Sequence, residues 1–209
     1  MMELFLSAFI TFFVVIDPPG CAPIYASLTK GANAAQRRNM AFRAVIVASG
    51  ILLVFALFGE QLLSALHIEL NSFRIAGGIM LFLIAIDMVF EKRTERREER
   101  AQKILDTPEI EDVSVFPMAM PMIAGPGSIA SVMLLMSQNS GIDRASVILG
   151  ALATVLVLTL LALLAAGPIM RVLGANAEAV ITRLLACFSA RLRHSLLLMD
   201  CVRASPADY

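Results

Sequence analysis

Five stretches of this chain, residues 4 to 28, 42 to 66, 71 to 90, 114 to 136 and 145 to 170, are apolar over the length needed to cross a bilayer. A helix needs about 20 mostly apolar residues for that. A weaker sixth stretch covers residues 178 to 199. Lipid offers the backbone no hydrogen-bond partners, so runs of this kind must be helical. The expected fold is an all-α polytopic membrane protein of about six transmembrane helices. Composition agrees: 58% of residues are hydrophobic and 16% charged, against roughly a half and a quarter in soluble domains.

Charge and cysteine usage narrow the function classes. Seventeen basic and seventeen acidic residues cancel, so no nucleic-acid partner is expected. Cys21, Cys187 and Cys201 are odd in number and form no CxxC, which suggests neither a disulfide framework nor a metal site. No cofactor is expected. MMELFLSAF opens the chain without Lys or Arg, unlike the basic start of a cleaved signal peptide. The first apolar stretch is therefore expected to persist as a span, with the lipid bilayer as its main partner.

Basic residues orient the spans, because cytoplasmic loops are enriched in them. With the N-terminus outside, Lys30, Arg37, Arg38, Arg43, Lys92, Arg93, Arg96, Arg97, Arg100, Lys103, Arg171 and Arg183 face the cytoplasm, and, apart from Arg191, Arg193 and Arg203 of the C-terminal tail, only Arg74 and Arg144 face out. The chain then divides as one membrane domain, 1–209: a first repeat over 1–90, a charged cytoplasmic loop over 91–113, a second repeat over 114–186 and an atypical tail over 187–209.

The repeat is carried by two interruptions. Ile16-Asp17-Pro18-Pro19-Gly20 breaks the first stretch and Ile123-Ala124-Gly125-Pro126-Gly127 the fourth, both reading I-x-x-P-G. Each half holds three spans, the first of them broken, and three being odd, the second half inserts upside down. Paired Pro/Gly interruptions in inverted repeats point to a transporter's central site.

Proline inside a helix removes a hydrogen bond and clashes with the preceding turn, so unwound backbone here should face protein or water rather than lipid. A helix restarting after a break presents free N–H groups and the positive end of its dipole, a place for an anion such as a carboxylate. Pro126 suits the first helical position, Gly125 and Gly127 allow close approach to the backbone, and Ser128 adds a hydroxyl. Asp17 either caps its half-helix or binds a substrate amine, a proton or a sodium ion. The two roles are compatible, since an acid at membrane depth is a functional candidate. Asn71, Gly77 and Gly78 are expected to pack helices closely or to line the cavity. Met118, Met120 and Met122 are expected as adaptable packing. Glu60, His67, Glu69, Arg74 and Asp87 read as interfacial.

D-P-x-G-x-x-P in the first span, P-x-x-A-G-P-G in the fourth and R-I-A-G-G-I-M-L-F in the third resemble the MarC family of bacterial inner-membrane proteins, over roughly residues 3 to 186. The resemblance implies a six-span protein grouped with neutral amino-acid transporters and more distantly similar to LysE-type exporters. It places the family's motif residues on Asp17, Pro18, Gly20 and Pro23, on Pro121, Gly125, Pro126 and Gly127, and on Gly77 and Gly78.

The chain departs from that pattern after Leu184-Leu185-Ala186, where it reads CFSARLRHSLLLMDCVRASPADY. Arg191 and Arg193 fall near the centre of the sixth stretch, at about 2.5 to 3.5 kcal/mol each, while each Leu returns only about 0.3 to 0.6. The tail reads as a shifted frame or truncated product, with a re-entrant or interfacial segment as the alternative.

The expected function is secondary transport or export of a small neutral amino acid or similar metabolite, coupled, where coupled at all, to H+ or Na+. The alternative is a non-transporting scaffold or regulator, in which the breaks only permit tight packing. An enzyme is not expected: His67 and His194 fall in no Ser/Cys arrangement and no metal-ligand spacing.

Overall fold

In a computed structural model, the described residues are 1–89, 112–139 and 141–166. All of them lie in one compact unit, Met1–Gly167. They form α1 (Met2–Ile16), α2 (Pro18–Leu28), α3 (Ala34–Ala65), α4 (Leu70–Val89), a wide-turned α5 (Ser114–Ile123), α6 (Pro126–Gln138) and α7 (Ile142–Ala166). The chain is an all-α polytopic membrane protein. Four of the described helical spans are long and apolar enough to cross a membrane, and the bent α5–α6 pair makes a fifth. The sixth stretch at 178–199, the tail at 187–209 with Arg191 and Arg193, and nearly all of the 91–113 loop lie outside the described residues.

The surface of the bundle is apolar, as a lipid-facing surface must be. Leu6, Ile10 and Val14 on α1, Leu53, Leu57 and Phe58 on α3, and Ile75, Ile79 and Phe82 on α4 are all exposed. The opposite face of α3 is narrow and small: Ala41, Ala44, Ala48, Leu52, Ala56, Gly59 and Leu63 are buried at intervals of three and four, the spacing of one helix face. Without a hydrophobic driving force between helices, small residues allow the close backbone approach that holds spans together. That face of α3 meets α5 and α6, while α6 also touches α1 and α4. The half-helix α6 is therefore enclosed by three spans of the first half.

The sequence places the start of the second span at residue 42, but α3 begins at Ala34, eight residues earlier. Asn33 and Gln36 form a reciprocal cap: Gln36 N–H donates to Asn33 Oδ1 at 2.8 Å and Asn33 N–H to Gln36 Oε1 at 2.9 Å. This capping box starts a polar turn that the hydropathy pattern alone does not register. Arg37, Arg38 and Arg43 thus stand on a helix rather than in a loop. The Tyr25 hydroxyl donates to the Arg37 carbonyl and ties the end of α2 to this turn.

Candidate functional site: two interrupted spans

The first interruption is a single residue. Asp17 sits at φ 57°, ψ 67°, a left-handed conformation that Asp tolerates better than most residues. The following Pro18 keeps it out of the right-handed helical region. Its N–H donates to Phe13 O at 2.9 Å and closes α1, while its carbonyl accepts from Cys21 N–H at 3.1 Å and opens α2. Its Oδ1 accepts from Gly20 N–H at 3.0 Å, the cap that Asp provides at a helix start. Pro18 is buried at the first position of α2, and Pro23 lies exposed inside that helix. A side chain at Gly20 would run into the Asp17 carboxylate, so glycine is required for the cap.

The second interruption is longer. α5 and α6 meet at a bend of 51°. Phe116 (φ −126°, ψ 126°) and Met120 (φ −132°, ψ 124°) are extended inside α5. Each precedes a proline, Pro117 or Pro121, which disfavours the helical conformation in the residue before it. The N–H groups of Met118 and Ala124 reach back five residues, to Val113 O at 3.3 Å and Ala119 O at 2.8 Å, the pattern of a widened turn. Extension turns Met120 outwards, at 44% exposed, while Met118 and Met122 stay in the core. Pro126 then opens α6 behind Gly125, whose missing side chain leaves room for the Pro121 carbonyl.

The two breaks share a device that the sequence motif does not advertise. Ser128 Oγ donates to Ile123 O at 2.7 Å, and Cys21 Sγ donates to Ile16 O at 3.5 Å. Each donor follows the glycine of I-x-x-P-G and reaches the isoleucine carbonyl five residues back. Both carbonyls precede an interruption and need a partner. Cys21, which the sequence pointed to neither as a disulfide nor as a metal ligand, thus matches Ser128 in position and bonding. Their shared place immediately after the motif glycine is the signal that could have paired them.

The breaks also touch. A Cβ at Gly127 would lie 3.2 Å from Val15 Cγ1, two residues before Asp17, and 2.5 Å from Ile84 Cδ1 of α4. Val15, Gly127 and Ser128 are buried, and Asp17 is half-buried. The two half-helix starts differ in charge: α2 is capped by a carboxylate, whereas α6 has Gly125 at its cap and no side-chain bond there. Of the residues read as packing or lining, Pro121 alone is placed at a break, its carbonyl against Gly125. Asn71 is exposed, Pro121 is half-buried within α5, Gly77 is buried and Gly78 exposed. A side chain on either of these two glycines would meet no described atom within 4 Å. Among the described residues no His/Cys/Asp/Glu group has the make-up of a metal site.

Comparison with known proteins identifies the chain that carries these breaks. The family model of MarC family integral membrane proteins matches residues 2–199. The chain belongs to the MarC family. The MarC match runs past Ala186 into the atypical tail. A UPF0056 membrane protein of Methanocaldococcus jannaschii is 36% identical over 88% of this chain and 89% of its own length. YvbG of Bacillus subtilis, also a UPF0056 membrane protein, is 35% identical over 88% of each chain. One from Archaeoglobus fulgidus is 32% identical over 91% and 89%. No solved structure matches significantly.

Proposed function

We propose that this MarC-family protein is a secondary transporter or exporter of small neutral amino acids or similar metabolites. The observation that carries this reading is the contact between the two interruptions, with Gly127 of α6 against Val15 at the end of α1. It brings one acidic and one unneutralised half-helix start into the same interior. A zwitterion suits that pair. Its carboxylate is favoured by the free N–H groups and positive dipole end at Gly127 and Ser128, and its amine by the Asp17 carboxylate. Asp17 is also the group that would bind a coupling H+ or Na+. Two inverted three-span repeats would swing about such a site, with the N-terminus outside and the 91–113 loop in the cytoplasm of a bacterial inner membrane.

Uptake of radiolabelled neutral amino acids into proteoliposomes tests the reading. Gly127→Leu forces a side chain into the close contact with Val15 and Ile84, and transport should fall at least tenfold while membrane insertion is preserved. Unaltered uptake in Gly127→Leu removes this site from the transport path.

A further inference from the structure

Contacts along the broken α5–α6 span give its register against the first half. Arg43 of α3 meets Asp112, two residues before α5, and Gly59 of α3 faces Met133 of α6, so α3 runs parallel to α5–α6. Arg74 of α4 meets Ser137 near the end of α6, and Ile84 faces Gly127 near its start, so α4 runs the other way. The Arg43 and Arg74 contacts therefore lie at opposite ends of the bundle. At a rise of about 1.5 Å per residue, Arg43 stands about 33 Å along α3 from Ala65, beyond which the chain turns into α4 and Arg74. That is close to the full thickness of the hydrocarbon core, about 30 Å.

The broken span is thus pinned to the first half at both ends, with its 51° bend in between. At one end Arg43 Nη1 and Asp112 Oδ2 form an ion pair at 2.6 Å with both side chains exposed. At the other, Arg74 Nη2 donates to the Ser137 carbonyl at 2.6 Å. The cation there faces the negative end of the α6 dipole. The Arg43–Asp112 contact is of a kind that breaks easily. An exposed ion pair stabilises little. The Arg74 Nε is buried with no hydrogen-bond partner, so the guanidinium keeps a donor in reserve for another arrangement.

We infer that Arg43–Asp112 and Arg74–Ser137 are the two gates of this protein, which open in alternation as α5 and α6 pivot about Ala124–Gly125. The inference rests on the transport reading and adds to it which contacts part on which face. Both gates are closed in this structure, which agrees with the burial of Cys21 beside the first break.

Cys21 is a native reporter that needs no transport assay. With Cys187→Ser and Cys201→Ser in the full chain, it is the sole thiol, and an impermeant methanethiosulfonate reagent can be applied to one face of sealed vesicles at a time. Arg43→Ala and Asp112→Asn should each raise Cys21 labelling several-fold from the Asp112 face alone. Arg74→Gln and Arg74→Met should raise it from the opposite face alone. Two variants per gate keep the test decisive if one fails to insert, and Arg43→Asp combined with Asp112→Arg should restore the parent rate. Unchanged labelling, or an equal rise from both faces, overturns the gates. Face-specific labelling in a protein that takes up no amino acid supports the gates and removes the transport reading. Active uptake with unchanged labelling does the reverse.

Discussion

At the scale of single residues, the breaks are built from side chains that replace lost backbone partners. Asp17 caps α2 through Gly20, and Ser128 and Cys21 serve the carbonyls of Ile123 and Ile16. A buried carbonyl left without its donor destabilises by about 1 to 3 kcal/mol. Ser128→Ala should show a loss of that size in detergent unfolding monitored by circular dichroism. Cys21→Ser, which puts a better donor on Ile16, should leave stability unchanged or slightly raised. Equal losses in both variants would mean that volume rather than the hydrogen bond matters at these positions. Asp17 was legible as a cap because Asp before Pro is local turn chemistry. Cys21 was not, because a lone cysteine in an apolar run has the same sequence appearance whether it packs or donates.

At the scale of elements, helix boundaries and breaks follow short-range rules where proline, glycine or a cap is involved. The interruptions at Asp17 and at Ala124–Gly125 were readable from I-x-x-P-G. The two extended residues inside α5 follow from the prolines after Phe116 and Met120, a restriction outside the reach of a hydropathy window. The earlier start of α3 came from the Asn33–Gln36 cap. Packing between elements was less visible. Gly59 was one glycine among twelve, yet its missing side chain admits Met133, whose Cγ lies 2.8 Å from where a Cβ would stand. Gly59→Leu should overpack the α3–α6 seam and destabilise by about 1 to 3 kcal/mol. Met133→Ala in the same chain should recover part of that loss in a thermal melt, and a failure to recover would place the clash elsewhere.

At the scale of the whole molecule, the halves are joined by contacts between residues far apart in sequence, and their pH response is specific. The Ser114 side chain, the Ser114 N–H and the Arg43 guanidinium together hold the Asp112 carboxyl below its ordinary value of 3.8, outweighing the opposing effect of burial. Because the folded value is lowered, the stabilisation is present above 3.8 and is lost as the pH falls through the lowered value. The melting-temperature difference between the parent and Asp112→Asn should therefore stay constant at neutral and mildly acidic pH and shrink only below about pH 4. A difference that disappears near pH 6 would assign the effect to another group. By itself the sequence determined what short-range physics controls: a membrane solvent from apolar length, helices from the need to satisfy the backbone in lipid, and breaks where Pro and Gly interrupt them. Only the tertiary structure decided that Gly127 lies against Val15, that Arg43 meets Asp112 and that Arg74 meets Ser137. Those pairings depend on how helices 60 to more than 100 residues apart pack together, and no local pattern of residues encodes that geometry.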